Sequence, residues 1–214
     1  MLADEVQEIM QTTKQYKYDV PNIEILGAMN RNLALRCEAA AKKDEFVLTL
    51  GGDHGLASGS ITGMLRAHPD LRVVWIDAHG DCNIPETSPS LNYHGMPMAH
   101  CLGWIEHGSM RGFDWLLPLM KPENLCYIGL RDLDIGEIAL LKKHNIKVYT
   151  PYDIELNGGI GPVMKQVKEY LRLDEENAPV HISWDIDGCD PIFAEGTGTR
   201  ARCGLSVRES HFIL

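Results

Sequence analysis

Acidic residues and histidine follow three apolar runs of this sequence, at the point where each run ends. The runs are residues 45–50, 71–76 and 180–184, and they lead into Gly51-Gly52-Asp53-His54, Asp77-Ala78-His79-Gly80-Asp81 and Asp185-Ile186-Asp187. Carboxylates and imidazoles are the side chains that bind divalent metals and exchange protons. Because ligands of open α/β sheets lie at the carboxyl ends of the strands, the three segments predict one shared site in a metal-dependent enzyme.

These segments supply four carboxylates and two imidazoles as candidate metal ligands: His54, Asp77, His79, Asp81, Asp185 and Asp187. Asp77, His79 and Asp81 alternate along the chain, which places them on one face while the backbone stays extended. A single zinc ion needs fewer ligands and prefers nitrogen and sulfur, whereas this oxygen-rich set suits two ions and favours Mn²⁺ or Mg²⁺. Two such ions lower the pKa of a shared water and generate hydroxide at neutral pH, which predicts hydrolysis.

A single aspartate at a strand end is more often a helix cap or a turn former than a metal ligand. Asp53, Asp132 and Asp190 are open to that interpretation. The Asp77-Ala78-His79-Gly80-Asp81 segment is different, because three ionisable groups on one face repel one another and are difficult to desolvate without a cation. The metal interpretation is therefore favoured for this segment, and the pair Asp185 and Asp187 strengthens it.

Strands that alternate with helices must position these residues. Apolar runs bounded by turn residues predict strands at 45–50, 72–76, 125–130, 147–150 and 180–184. Helical patterns cover residues 28–43, 57–68, 98–104, 137–144 and 161–173, and a long polar loop covers 82–97. This alternation predicts an α/β fold with a parallel sheet covered on both faces, as one domain over residues 1–214.

The composition excludes several classes of protein. The formal net charge of −10 argues against sequence-independent nucleic-acid binding, because a phosphate backbone would be repelled. No stretch approaches the roughly 18 apolar residues of a membrane span, and Met1 to Val6 lacks the pattern of a signal peptide. The six cysteines are widely spaced without a CxxC pair, which is typical of reduced thiols. We expect a soluble, cytoplasmic protein.

The motifs also resemble a known family. The three segments above, the last of them extended to Ser183-Trp184-Asp185-Ile186-Asp187-Gly188-Cys189-Asp190-Pro191, look like the signature motifs of the ureohydrolases. Residues 92–97 (Asn-Tyr-His-Gly-Met-Pro) and 129–137 (Gly-Leu-Arg-Asp-Leu-Asp-Ile-Gly-Glu) resemble arginases more closely than agmatinases or formimidoylglutamases. The resemblance runs from about residue 45 to residue 210.

The resemblance implies a three-layer αβα fold and hydrolysis of L-arginine to L-ornithine and urea at a centre of two Mn²⁺ ions. By motif, one ion would be bound by His54, Asp77, Asp81 and Asp185, and the other by Asp77, His79, Asp185 and Asp187. The catalytic residues would be Asp81 and His94, the latter as a proton shuttle. The substrate would contact Asn83 and Ser90 through its α-carboxylate, Asp134 through its α-amino group, and Thr199 in the pocket wall. Family members are often trimers, which implies a homo-oligomer.

The sequence departs from the family pattern in several places. Gly80 replaces a threonine, Gly55 replaces a serine, and residues 194–204 are unusual in composition. The family continues beyond the position of Leu214 through a further sheet strand, and an N-terminal βα unit is also unmatched, so we expect a chain that lacks terminal strands. Two alternatives stay open: an agmatinase-like amidinohydrolase, and a catalytically impaired metal-binding homologue.

Overall fold

Four parallel strands form the centre of the fold in the computed structural model, which describes residues 16–214. The strands are β1 (Arg72–Ile76), β2 (Leu125–Ile128), β3 (Lys147–Tyr149) and β4 (Val180–Trp184), in the sheet order β3-β2-β1-β4. Each pair of neighbours is parallel, with Val74 opposite both Cys126 and Ile182. The predicted absence of a signal peptide concerns Met1 to Val6, which lie outside the described residues.

Helices cover both faces of this sheet. They are α1 (Ile23–Ala41), α2 (Ala57–Ala67), α3 (Pro97–Cys101), α4 (Ile135–Lys143), α5 (Pro151–Leu156), α6 (Ile160–Leu171) and α7 (Val207–Ile213), and short 3-10 turns lie at 54–56, 93–95, 122–124 and 186–188. Alternate residues of β1 enter two separate cores: Val73 and Trp75 pack on one face, Val74 and Ile76 on the other. The predicted α/β fold, three-layer αβα with a mostly parallel sheet, is confirmed.

Local backbone chemistry explains where the element boundaries differ from the prediction. β2 ends at Ile128 because Gly129 takes a positive φ of 96°, two residues before the predicted end. The predicted helix 98–104 begins at Pro97 and ends at Cys101, just before Gly103 at φ 73°. α1 begins at Ile23, five residues before the predicted start at residue 28. α5, which the sequence analysis did not predict, begins with a capping box between Thr150 and Asp153.

The predicted strand at 45–50 was wrong. These residues form no regular structure, and Phe46, Leu48 and Leu50 are 91%, 70% and 86% exposed. An extended segment becomes a strand only when a neighbour pairs with its backbone groups, and no other part of residues 16–214 pairs with it in the sheet. The composition of the segment is that of a strand, but pairing depends on tertiary structure.

β4 is an edge strand of the sheet and pairs with β1 on one side. Its second edge has no partner among residues 16–214, and Val180 and Ile182 are exposed there. An exposed edge of this kind can pair with a further strand. Within the same described range, no helix has the length and apolar character needed to cross a membrane.

Small residues let α1 and α2 approach closely. A Cβ at Gly63 would overlap the Ala34 carbonyl, and one at Gly59 would lie 2.6 Å from the Asn30 carbonyl oxygen. The Asn30 side chain also accepts a hydrogen bond from the Gly59 amide at 2.8 Å. Because α2 follows the 54–56 turn directly, this packing holds the turn that carries His54.

Candidate metal centre

Three carboxylates surround one nitrogen of His54. His54 Nδ1 lies 3.0 Å from Asp77 Oδ2, 3.1 Å from Asp81 Oδ2 and 3.2 Å from Asp185 Oδ2. These residues come from the 54–56 turn and from the ends of β1 and β4, so the structure brings together side chains that the sequence separates by more than a hundred positions. Within this set, His54, Asp77 and Asp185 form a group that can coordinate a divalent cation.

A second cluster lies beside the first. His79 Nδ1 lies 3.4 Å from Asp77 Oδ1 and 3.3 Å from Asp187 Oδ2. In the groups His54–Asp77–Asp185 and Asp77–His79–Asp187, the possible ligand atoms lie within 4.8 Å of one another. Asp77 belongs to both, with one carboxylate oxygen facing each imidazole. Five of the six predicted ligands therefore form two adjacent clusters that share Asp77, and the sixth, Asp81, lies against His54 Nδ1.

The chain presents Asp77, His79 and Asp81 from a bend after β1, so the extended backbone that a shared face requires does not continue through these residues. β1 ends at Ile76, and the Asp77 carboxylate accepts a hydrogen bond from the His79 amide at 2.7 Å. Asp81 has a φ of 45°, a left-handed conformation that bends the backbone again. An aspartate side chain that binds its own backbone favours this kind of turn, so the residue type that supplies the ligands also shapes the loop.

Asp185 and Asp187 are held by a similar turn after β4. The Asp185 carboxylate accepts a hydrogen bond from the Asp187 amide at 3.1 Å and begins the 186–188 turn. Asp187 Oδ1 in turn accepts from the Ala78 amide at 3.2 Å, which ties the two strand ends together. The clusters are therefore preorganised by backbone donors.

His54 Nδ1, the buried nitrogen that faces the three carboxylates, makes no hydrogen bond. The other nitrogen of His54 lies 2.9 Å from Ser183 Oγ, and its ring stacks on Trp75 with 4.3 Å between centroids. This support directs Nδ1 at the three carboxylates. A buried unpaired nitrogen that faces several carboxylates is costly unless a cation lies between them, so these residues fit a metal ion.

The acid–base properties of the cluster lead to the same conclusion. Burial raises the pKa of Asp81 to about 8, and the nearby Asp77 carboxylate adds to the rise. Burial disfavours the charged form of His79, yet Asp187 and Asp77 outweigh it and raise the pKa of His79 to about 11. Burial also acts against ionisation of Asp77, but His54 and His79 keep its pKa low. The carboxylates need protons or a metal ion to share the space.

The clusters lie at the base of a cavity of about 550 Å³. Among the described residues that line it are six acids and no lysine or arginine: Asp53, Asp81, Asp134, Glu137, Asp185 and Asp187. The predicted substrate-contact residues also line it, namely Asn83, Ser90, Asp134 and Thr199. Asn83 Nδ2 donates to Asp134 Oδ2 at 2.9 Å, which fixes the Asp134 side chain. A cavity with this lining favours a cationic ligand.

The predicted proton shuttle, His94, lies at the exposed side of this cavity. Its side chain is about half exposed, and His94 Nδ1 lies 3.3 Å from Asp53 Oδ2. Asp53 also accepts a hydrogen bond from the Gly55 amide at 2.8 Å, as the cap of the 54–56 turn. The turns that carry His54 and His94 are therefore in contact.

Arg131 was missed by the sequence analysis. Its guanidinium donates to the Asp187 carbonyl at 2.6 Å, to the Ala201 carbonyl at 2.8 Å and to the Arg202 carbonyl at 2.9 Å. It thereby joins the turn that carries Asp187 to the cavity-lining segment 194–204. Its place directly after the predicted strand 125–130 was the signal that could have identified it.

The unusual glycines fit their surroundings. A Cβ at Gly80 would lie 2.9 Å from Glu137 Oε1, an oxygen that accepts a hydrogen bond from the Cys82 amide at 3.2 Å. A Cβ at Gly55 would lie 2.7 Å from Asp53 Oδ1 and 3.1 Å from the Tyr93 ring. Both glycines are therefore matched to a neighbouring side chain that occupies the available space.

Comparison with known proteins places the chain in a family. The Arginase family profile matches residues 4–214. The arginase of Plasmodium berghei is 43% identical over 216 residues, which cover 100% of this chain and 60% of that protein. Arginase-1 of Rattus norvegicus is 41% identical, covering 91% of this chain and 60% of that protein.

The structural comparison agrees. The structure of the arginase from Bacillus caldovelox superimposes with a TM-score of 0.84 at 37% identity, over 94% of this chain and 66% of that one. This chain thus spans about 60% of the length of the two curated relatives described above. The family profile covers nearly the whole sequence, and the matched structure has the same fold. The chain belongs to the Arginase family.

Proposed function

We propose that this chain forms the catalytic centre of an arginase, which hydrolyses L-arginine to L-ornithine and urea. The observation that carries the proposal is the pair of His–carboxylate clusters that share Asp77 at the base of an acid-lined cavity. The relatives named arginase at 41–43% identity support the same reaction. The six free cysteines support the cytoplasmic location that belongs to this proposal.

We assign two Mn²⁺ ions to the clusters. The first would be held by His54, Asp77, Asp81 and Asp185, and the second by Asp77, His79, Asp185 and Asp187. Four of the six residues are aspartates, and an oxygen-rich set favours manganese over zinc. When bound, the ions supply Lewis acidity and a water-derived nucleophile at neutral pH.

The chain's own residues bind the substrate and move its protons. The acidic lining attracts the guanidinium group, and the Asn83–Asp134 pair offers a carboxylate to an α-amino group. In the reaction, the oxygen of water bonds to the guanidinium carbon and the bond from that carbon to the ornithine nitrogen breaks. Both protons of water finish on the leaving amine. His94, which lines the cavity and is about half exposed, would pass one of them.

Parallel assays of arginine and agmatine test the proposal. The purified chain is loaded with Mn²⁺, its metal content is measured by plasma mass spectrometry, and urea release is followed for both substrates. We expect turnover of arginine and little of agmatine, because agmatine lacks the α-carboxylate that Asn83 and Ser90 would contact. Preference for agmatine would support the agmatinase-like alternative. Metal binding with no turnover of either would support the impaired homologue.

Asp134→Asn provides a sharper probe of the substrate position. The substitution keeps the size of the side chain but removes its charge, so it should raise KM for arginine by about tenfold with little effect on metal content. Ser88→Ala, a cavity-lining position without an assigned role, serves as the matched control. An unchanged KM in Asp134→Asn would remove the assignment of this carboxylate to the α-amino group.

A further inference from the structure

A buried hydrogen-bond network lies directly behind His94. The Tyr93 hydroxyl is 2.6 Å from Ser58 Oγ and 3.0 Å from His100 Nδ1. All three residues are almost fully buried. They belong to three different elements: Ser58 to α2, Tyr93 to the 93–95 turn, and His100 to α3. The hydroxyl of Tyr93 therefore connects the turn that carries His94 to two helices.

The Tyr93 ring also sets how closely two turns of the cavity approach each other. It packs on Phe113, with 4.6 Å between ring centroids, and together with Asp53 Oδ1 it leaves little room for a Cβ at Gly55, at 3.1 Å from the ring and 2.7 Å from that oxygen. With glycine at position 55, the 93–95 turn lies directly on the 54–56 turn. His94 then reaches Asp53, the cap of the neighbouring turn, at 3.3 Å.

We propose that Tyr93 is a positioning residue for His94. Its ring sets the depth of the 93–95 turn, and its buried hydroxyl, held by Ser58 and His100, fixes the rotation of that turn. The backbone of Tyr93 leads directly into His94, so rotation of one moves the imidazole of the other. The inference rests on the proposed function only for the role of His94 in proton transfer; the anchoring of the turn is independent of it.

A double-mutant cycle on the manganese-loaded full chain tests the functional part. Tyr93→Phe removes the hydroxyl and keeps the ring, and it should lower kcat for arginine by about tenfold with KM changed less than about twofold. In a His94→Ala background the same substitution should have no further effect on kcat, because Tyr93 acts through His94. Ser58→Ala removes a partner of the same hydroxyl and should show the same pattern to a smaller extent.

Hydrogen exchange tests the anchoring without any assay of activity. The amides of Gly95 and Met96 close the turn by hydrogen bonds to Asn92 and Tyr93, at 3.2 and 2.9 Å. Tyr93→Phe should speed their exchange by about tenfold while exchange in β1 stays slow. Tyr149→Phe is the matched control, since it removes a tyrosine hydroxyl bonded to Gln166 on the opposite face of the sheet. It should leave exchange of the 93–95 turn and kcat unchanged.

The outcomes separate this inference from the proposed function. An inactive wild-type chain would count against arginase activity, and the exchange experiment alone would then decide the anchoring. Equal losses of kcat from Tyr93→Phe with and without His94 would overturn the positioning role. Exchange at Gly95 and Met96 as slow in Tyr93→Phe as in the wild type would overturn it as well.

Discussion

Asp77 is the residue on which both clusters depend. It is fully buried, and it receives hydrogen bonds from Trp75 Nε1 at 2.9 Å and from the His79 amide at 2.7 Å. These donors support a negative charge away from water, and its two oxygens face two different imidazoles. A residue held in this way is suited to contribute its charge to both clusters.

We expect Asp77→Asn to weaken metal binding by more than about 100-fold, because it removes the shared charge from both clusters. Calorimetric titration of the metal-free protein with Mn²⁺, together with bound metal after dialysis, measures the effect. Asp53→Asn is the control, since it changes a carboxylate of the same cavity outside the two clusters. Metal retention by Asp77→Asn at the wild-type level would contradict the dependence of both clusters on Asp77.

His100 makes the fold sensitive to acid. Burial, with a smaller effect of His107, lowers the pKa of His100 from 6.5 to about 3. Between these two pKa values, the unfolded chain binds a proton at His100 and the folded chain does not. The stability that neutral His100 contributes is therefore present above pH 6.5 and is lost as the pH falls towards 3. The slope from this one group is at most about 1.4 kcal/mol per pH unit.

Urea unfolding between about pH 7 and about pH 4.5 measures this slope. The free energy of unfolding of the wild type should fall more steeply than that of His100→Gln, whose side chain does not titrate. Parallel curves for the two proteins would show that His100 does not contribute to the acid sensitivity.

At this scale the sequence predicted which six candidate ligands would lie close together, but not which residues hold them in place. The six candidate ligands were identifiable because ionisable residues followed apolar runs, a pattern that needs no knowledge of the tertiary structure. Arg131 and Tyr93 were not assigned a role, because both act on residues that only the fold brings near. The backbone turn at Asp81 was missed because alternation along a chain predicts a shared face only while the strand continues.

At the scale of elements, the contact between α1 and α2 determines where the 54–56 turn lies. Gly59 and Gly63 face α1 so closely that neither leaves room for a Cβ. Since α2 leads directly from the turn, a shift of this helix moves His54. The distance between α1 and α2 therefore affects the position of the His54 side chain in the site.

Gly63→Ala tests this contact. Alanine is the better helix former by about 1 kcal/mol, yet we expect the free energy of unfolding to fall by about 1–3 kcal/mol because the methyl group meets the Ala34 carbonyl. Gly196→Ala, where a Cβ would meet no atom within 4 Å, is the matched control and should change little. Chemical denaturation of both variants gives the comparison. A stabilised Gly63→Ala would mean that the helices separate without cost.

The strands show where prediction from sequence succeeds and where it fails. β1 to β4 were all predicted, and residues 180–184 coincide with β4. The run at 45–50 is also rich in apolar residues, as a strand would be, but it has no partner strand in the described chain and it stays exposed. Composition reports the tendency to become a strand, whereas pairing depends on which neighbours are present.

For the whole molecule, the net negative charge of the chain and the acidic lining of the cavity both affect stability. Acidic groups outnumber basic groups by ten over the chain, and the cavity concentrates six acids around the two clusters. Repulsion among them opposes the folded state, and a bound cation offsets that repulsion. Metal binding and stability should therefore be linked.

Metal removal should lower the thermal midpoint of the chain. At a free Mn²⁺ concentration 100 times the Kd, one site stabilises the folded state by about 2.7 kcal/mol, so dialysis against EDTA followed by Mn²⁺ titration should move the midpoint down and back up. Mg²⁺ and Zn²⁺ at equal activity provide the comparison of metals. A midpoint insensitive to EDTA and to added Mn²⁺ would indicate that no ion stabilises the clusters.

The close fit of Gly55 under Tyr93 has an evolutionary consequence. Either position can change only at a cost while the other stays. A serine at 55 would bring its Cβ to 3.1 Å from the ring, besides its 2.7 Å approach to Asp53 Oδ1, and a small residue at 93 would leave a void behind the turn. Substitutions at these two sites should be inherited jointly. Lineages with a bulky aromatic residue at position 93 should retain glycine at position 55. A variant in which both positions are changed should be tolerated better than either single substitution.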